Sequence, residues 1–279
     1  MADLSATQLG EKSEYISVYT PSLLCPIPRQ QTRESLGLSE GDVLPFTGVD
    51  IWMGYELSWL DLKGKPQVAV AEFRVPCTSP AIIESKSFKL YLNSLNQTRF
   101  SHIAEVASTL ESDLSVAAGA PVSADLTPLA TASLSTAYTV ASLPAENIDH
   151  LDVEVSRYTP DASLLELSAD SKMVSETLCS DLLKSNCPVT GQPDWATIYI
   201  RYRGEAIKRE SLLRYIISYR EHQDFHEHCV EQMFLHIQGR CCPQELTVYA
   251  RYTRRGGLDI NPFRTNCDEA PFNLRLVRQ

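Results

Sequence analysis

The segment Ser-Asn-Cys187-Pro-Val-Thr-Gly-Gln-Pro-Asp194-Trp sets a thiol and a carboxylate close together in Pro/Gly-rich backbone, just before a strand-like run. A cysteine followed by proline is biased to an extended conformation and kept out of a helix interior. That placement suits a nucleophile, and the nearby carboxylate suits a group that carries its proton. The thiol is expected at a surface or cleft.

A second group of candidates lies in Gln-Asp224-Phe-His226-Glu227-His228-Cys229-Val. Projected at about 100° per residue, His226 falls with Val230, Met233 and Ile237 on the apolar face of a helix and points inward. The plainer reading makes His226 a core histidine and Glu227 a capping partner of Asp224. His228 projects elsewhere and is expected to face solvent. In the first half, Ile83-Glu84-Ser85-Lys86-Ser87-Phe88-Lys89 opens a helix with two lysines at its positive end. Free backbone N–H groups, two hydroxyls and these lysines can hold phosphate groups; solvated lysines are the alternative. Arg254 and Arg255 precede Gly256-Gly257 at a flexible turn, where either guanidinium can clamp a phosphate or simply end a hairpin. His226, His228, Cys229, Cys241 and Cys242 are close in sequence. However, residues two apart on a helix point about 200° away from each other, and no Cys-x-x-Cys pairs occur, so no metal is expected.

The elements that must position these groups form two similar series. Asp50 to Leu60 and Pro66 to Val75 are strand-like and flank Asp-Leu-Lys-Gly-Lys, a glycine-turn hairpin. Phe88, Tyr91, Leu92 and Leu95 keep helical spacing, as do Ile103, Val106, Ala107 and Leu110. An Ala/Ser/Thr-rich stretch from Ser115 to about Ala145 has little periodicity and is expected to be poorly constrained strand and linker. In the second half, Trp195 to Tyr202 is strand-like, Leu212 to Tyr219 and Phe225 to Ile237 are amphipathic helices, and Leu246 to Tyr252 is a closing strand. The pattern predicts an α+β protein: an N-terminal arm over 1–45, one module over 46–145 and a second over 146–279. Each module is expected to cover one face of an antiparallel sheet with paired helices.

Composition limits the partners. A chain of 279 residues with 43% hydrophobic residues can bury two cores. A net charge of -10 argues against a nucleic-acid or anionic-membrane surface, which needs clustered cations. No apolar run approaches the ~20 residues that span a bilayer, and Met-Ala-Asp-Leu-Ser lacks a signal-peptide pattern, so a cytoplasmic location is expected. The eight cysteines are accordingly expected to be reduced, and most of them small buried hydrophobes.

Taken together, Glu84-Ser-Lys-Ser-Phe-Lys-Leu-Tyr, the Cys187 to Asp194 segment, Phe-His226-Glu227 and Tyr-Thr-Arg-Arg-Gly-Gly-Leu-Asp-Ile-Asn-Pro closely resemble the NADPH-dependent nitrile reductases of queuosine biosynthesis. The resemblance runs from about Asp50 to Gln279 and is to the long, two-module form. It implies tandem tunnelling-fold modules, a homodimer and a small deazapurine nitrile as substrate. Cys187 would attack the nitrile carbon to give a thioimide, and Asp194 would protonate the nitrogen. His226 would assist proton transfer to the later imine. Ile83, Glu84, Ser85, His226 and Glu227 would line the base pocket, with Glu227 accepting from the guanine-like edge. Ser85, Lys86, Arg255 and Gly256 would hold NADPH, two of which are consumed per turnover. No Gly-x-Gly-x-x-Gly follows a strand, so NADPH binding would need no Rossmann module. A zinc-dependent cyclohydrolase of the same fold and a non-catalytic purine-binding module are the rival readings. One conflict concerns the thiol: a helical Ser175 to Lys184 would aim its negative end at Cys187 and hinder thiolate formation.

Overall fold

A computed structural model describes residues 15–132, 139–170 and 172–279. The strands are β1 Pro26–Pro28, β2 Thr47–Leu60, β3 Pro66–Pro76, β4 Ala81–Ile83, β5 Ser123–Pro128, β6 Glu146–Asn147, β7 Met173–Asn186, β8 Pro193–Glu205, β9 Glu245–Tyr252 and β10 Leu258–Thr265. The helices are α1 Gln30–Arg33, α2 Ser85–Ser94, α3 Ile103–Ala118, α4 Leu129–Ala132, α5 Arg209–Ile217 and α6 His226–Cys241. The chain divides into two compact units that are interleaved in sequence. The first holds residues up to Asp42, Val49–Thr139 and Arg254–Ile260; the second holds Val43–Gly48, Val140–Thr253 and Asn261–Gln279.

In the first unit, β2 and β3 form the expected antiparallel hairpin, and β5 adds to β3, also antiparallel. Alternation along the strands sends Trp52, Phe73 and Val75 into a core with Phe88, Tyr91 and Leu95 of the α2 region and Val106, Leu110 and Leu114 of α3. Phe88 is the centre of an aromatic cluster, 5.2 Å from Trp52 and 5.0 Å from Phe73 between ring centroids. At the start of α3, His102 Nδ1 accepts from the Glu105 N–H while the Glu105 carboxylate accepts from Ser101, and Gly119 ends the helix at φ +71°. The stretch from Ser115 is more regular than its composition suggests. It finishes α3 and then supplies β5, whose register with β3 runs from Ala69↔Pro128 to Arg74↔Ser123. Cross-strand pairing supplies order there that hydrophobic periodicity does not signal. Of the expected N-terminal arm and linker, residues 1–14 and 133–138 lie outside the described residues.

In the second unit, β8 pairs antiparallel with β7 on one side and β9 on the other, and β9 pairs with β10. The two-residue β6 pairs parallel to β7. The inward residues of α5 and α6, among them Leu212, Tyr215, Val230, Met233 and Ile237, are fully buried, as are Ile198, Ile200, Val248 and Ala250 of the strands. Residues Ser175 to Lys184 are strand, not helix. Their partner is β8, in register from Met173↔Glu205 to Asn186↔Pro193, so long-range pairing overrides local preference. No helix terminus therefore faces Cys187 from that side, and the expected dipole conflict disappears. The strand β10 is also not evident from hydrophobic alternation: its eight residues are all buried, including Asp259, Asn261 and Arg264. Arg264 is held by a buried ion pair, Nη2 to Glu231 Oε1 at 2.8 Å.

Candidate active site

The β7–β8 connection builds the thiol's surroundings. The Cys187 N–H donates to the Gln192 carbonyl at 2.9 Å, and the Gly191 N–H donates back to the Cys187 carbonyl at 3.0 Å. Closing this loop requires Gly191 at φ +68°, where a side chain would be strained. Cys187 is only 2% exposed, so the thiol is buried and not presented at the surface.

Asp194, the second residue of β8, lies directly opposite Ser185. Asp194 and Ala196 share one face, and Ala196 pairs with Tyr252, so Ser185, Asp194 and Tyr252 converge on the same side of the sheet. His226, the first residue of α6, reaches the same place. Its Nε2 lies 3.3 Å from Asp194 Oδ2, and its ring stacks on Tyr252 with centroids 3.8 Å apart and planes 7° from parallel. All four side chains are buried. Burial pushes the Tyr252 hydroxyl well above its ordinary pKa, and it does the same to the neighbouring Cys229 thiol. Ser185 Oγ, His226 Nδ1 and the Tyr252 hydroxyl have no hydrogen-bond partner. Buried polar atoms ordinarily find partners, so these three mark a place where a ligand or water completes the bonding.

Glu227 is also buried. It does not form the expected capping pair, because α6 begins with Phe225 as N-cap and no side-chain cap. Asp224 instead takes His228 Nδ1 and lies 3.4 Å from His222 Nε2. His228 is thus buried rather than solvent-facing. A helical wheel assumes that only one face of a helix is covered, whereas here the Asp224 carboxylate shields a second face. Burial alone would raise the Asp224 pKa, but the two imidazoles outweigh it and hold the carboxyl at about 2.

The remaining candidates belong to the first unit. Glu84 is the N-cap of α2, and its carboxylate accepts from the Lys86 and Ser87 N–H groups, both at 2.7 Å. Those N–H groups are therefore not free for phosphate, as the charge pattern suggested. The Ser87 hydroxyl is also engaged, donating to the Glu84 carbonyl and accepting from the Cys25 N–H. Burial raises the Glu84 pKa, partly offset by these N–H donors. Ile83 packs into the apolar core and pairs with Pro26. Arg254 sits over the Tyr55 ring at 4.6 Å. Arg255 opens a tight turn whose backbone closes on Leu258, and Gly256 and Gly257 adopt φ of +58° and +80°.

A small cleft of about 130 Å³ lies at this turn, lined by Glu56, Lys89, Asn93, Asn96, Gly256 and Gly257. A Cβ added at Gly256 would come within 2.4 Å of Lys89 Nζ. Lys89 Nζ also faces the Glu56 carboxylate at 4.0 Å, so the cleft carries both charges, and Ser85 and Lys86 lie at the N-terminal end of the helix that carries Lys89. A larger cavity of about 600 Å³ in the second unit is lined by residues such as Cys179, Asp181, Thr197 and Arg278, none of them among the expected site residues. Among the described residues no group of three or more His, Cys, Asp or Glu could hold a metal ion. Among the described residues the eight cysteines form no disulfide, and five of them are buried.

The comparisons with known proteins decide the family. Residues 15–126 match the family model "Nitrile reductase, 7-cyano-7-deazaguanine-reductase N-term", and residues 193–271 match "QueF-like protein". A relative from Saccharophagus degradans, an NADPH-dependent 7-cyano-7-deazaguanine reductase, is 54% identical over 99% of this chain and 100% of its own length. The chain belongs to the 7-cyano-7-deazaguanine reductase family. A member from Chromobacterium violaceum is 56% identical over 97% of this chain and 96% of its own length. A third, from Bordetella avium, is 55% identical over 99% of both chains. The solved archaeosine synthase QueF-Like in the apo form aligns over 36% of this chain and 96% of its own, at 18% identity and a TM-score of 0.30, too low to bear on the fold. Glu84 through Lys89 fall in the first matched segment, and Asp194, His226, Glu227, Arg255 and Gly256 in the second. Cys187 lies just before it.

Sequence reasoning missed Ser185, Tyr252 and the histidines around Asp224. Ser185 and Tyr252 carry no motif; their role follows from strand register, which pairs residues distant in sequence. Tyr252 was visible as the last residue of an expected strand, but its stacking on His226 was not.

Proposed function

We propose that this protein catalyses the NADPH-dependent reduction of the nitrile of 7-cyano-7-deazaguanine to the aminomethyl group, through a covalent thioimide on Cys187. The observation that carries the reading is the buried Asp194–His226 pair at the foot of the hairpin that bears the buried Cys187. A nitrile is a poor hydride acceptor. Addition of the thiol across the C≡N bond forms a C–S bond and moves the thiol proton to nitrogen, leaving a polarised C=N. Asp194 takes the Cys187 proton and returns it to the nitrogen, so its net charge is unchanged after this step.

NADPH, when bound, supplies hydride to the carbon, and nitrile to amine takes four electrons, hence two equivalents per turnover. After the first reduction Cys187 leaves as thiolate, and the resulting imine is held where bulk water is excluded. His226, packed between Asp194 and Tyr252, is suited to bring a proton to the imine nitrogen. Glu227 accepts from the guanine-like N–H edge. Ser85, Lys86, Arg255 and Gly256 would hold the cofactor, with Lys89 as an additional cation. Glu84 would meet substrate only through lone pairs not already used by its own helix, and Ile83 only as an apolar wall. We read each unit as a tunnelling-fold module and the protein as a cytoplasmic homodimer that acts on no nucleic acid directly. Among the described residues no helix is long and apolar enough to cross a membrane.

The test is intact mass after incubation with the nitrile alone. Wild type should gain the mass of the whole substrate, Cys187→Ala should gain none, and NADPH should discharge the adduct. No adduct on folded wild type would remove the covalent mechanism.

A further inference from the structure

Asp224 has no place in the chemistry described above, yet it is the hub between the two catalytic elements. The strand β7 ends at Asn186, directly before Cys187, and the segment Arg220–Asp224 runs alongside it. The Asn186 N–H donates to the His222 carbonyl at 2.8 Å, and the Asp224 N–H donates to the Asn186 carbonyl at 3.1 Å. The Asn186 side-chain amide donates to the carbonyls of Arg220 and His222, at 3.3 and 3.2 Å. Lys184 Nζ ties both sides, donating to Asn186 Oδ1 and to the Arg220 carbonyl, each at 2.7 Å. The Arg220 guanidinium lies over the Trp195 ring, next to Asp194 in sequence.

The other end of this segment is the start of α6. The Phe225 N–H donates to Asp224 Oδ1 at 2.8 Å, and the opposite carboxylate oxygen takes His228 Nδ1, one turn into the helix, with His222 Nε2 at 3.4 Å. His226 and Glu227 lie between those anchor points. One half-buried carboxylate therefore bonds the start of α6 that holds His226 and lies within ion-pair distance of His222, a member of the clamp on the strand end before Cys187.

We infer that Asp224 is a positioning residue for the reaction: by holding His228 and the Phe225 N–H while its charge faces His222 Nε2, it sets the Cys187 strand end against the start of α6. The inference rests on the thioimide reading above. Small displacements suffice, because a misplacement of about 1 Å at reacting groups can cost about 100-fold in rate.

The experiment measures the rate of adduct formation on the full-length protein with 7-cyano-7-deazaguanine and no NADPH, across nitrile concentrations, together with the thermal transition. Asp224→Asn keeps size and one acceptor but loses the charge that holds two imidazoles. We expect the saturating rate to fall by about 10- to 100-fold with the half-saturating concentration changed less than about threefold, and Asp224→Glu to recover part of the loss. A saturating rate within tenfold of wild type, or a loss confined to the thermal transition or to the half-saturating concentration, overturns the proposal. If Asp224→Asn does not fold, Asn186→Ala removes the amide clamp from the opposite side and is judged by the same criteria. Failure of the thioimide reading is distinguishable, since it would appear as no adduct on wild type or as an adduct that survives Cys187→Ala.

Discussion

Two helix starts, one in each unit, use a carboxylate in opposite ways, buried at Glu84 and half-buried at Asp224. At α2 the Glu84 carboxylate spends both oxygens on the N–H groups of its own helix, and its pKa is raised by burial. At α6 the N-cap residue Phe225 offers no side-chain cap, and the Asp224 carboxylate holds His228 and faces His222, with its pKa held down at about 2. Unpartnered atoms separate the units as well. Among the described residues, Ser185 Oγ, His226 Nδ1, Gln232 Oε1 and the Tyr252 hydroxyl are buried without a hydrogen-bond partner, and His222 Nε2 has only its 3.4 Å approach to the Asp224 carboxylate; all belong to the second unit. The first start is satisfied locally; the second has buried polar atoms around it that the protein itself does not bond.

The largest effect that would sharpen this contrast is expected at the open site. Asp194→Asn removes the proposed proton carrier and should lower kcat by about 100-fold or more, measured by steady-state NADPH oxidation. Glu84→Ala acts on the satisfied site. It should cost about 1–2 kcal/mol of stability in chemical denaturation, with the loss confined to the first unit if the units melt separately. An equal or larger loss of kcat in the folded Glu84 variant would break the comparison by giving Glu84 a direct catalytic role.

The titrations run in opposite directions. The Asp224 pKa is lowered on folding, so its contribution is complete above pH about 4, near the ordinary carboxylate value, and is lost as pH falls toward about 2. Asp224→Asn should accordingly flatten the stability curve in that window by about 2 kcal/mol. The Glu84 pKa is raised, so its contribution is present below the ordinary glutamate value and is lost as pH rises through its folded value; Glu84→Gln should remove that decline. The smallest effect is expected at Ser185, whose hydroxyl has no partner to lose. Ser185→Ala should change stability by less than about 0.5 kcal/mol. A destabilisation of several kcal/mol would mean that the hydroxyl is bonded after all, to the neighbouring Tyr252 or Cys229 or to a buried water.

Much of the site could be read directly from the chain. Pro188 and Gly191 fix Cys187 outside a helix, and the projection of α6 turns His226 inward, because both follow from local backbone chemistry. The hairpin of β2 and β3 was equally legible from a glycine turn between alternating runs. The strand β7 was not, since nothing local distinguishes it from a helix until β8 lies beside it. His228 failed for a related reason: a wheel projection has no knowledge of a carboxylate folding back from four residues earlier.

What the sequence alone determined is therefore the family, together with a set of candidate reactive groups, because motifs encode chemistry in residue types at short range. What only the tertiary structure decided is which groups meet. Strand register set Ser185 opposite Asp194 and Tyr252 beside Ala196, which brings Tyr252 under His226. The clamp on Asn186 joined residues from separate elements around Asp224, and Glu84 turned out to satisfy its own helix. Each of these depends on long-range pairing and on competition between partners for the same hydrogen bonds, neither of which is written in local spacing.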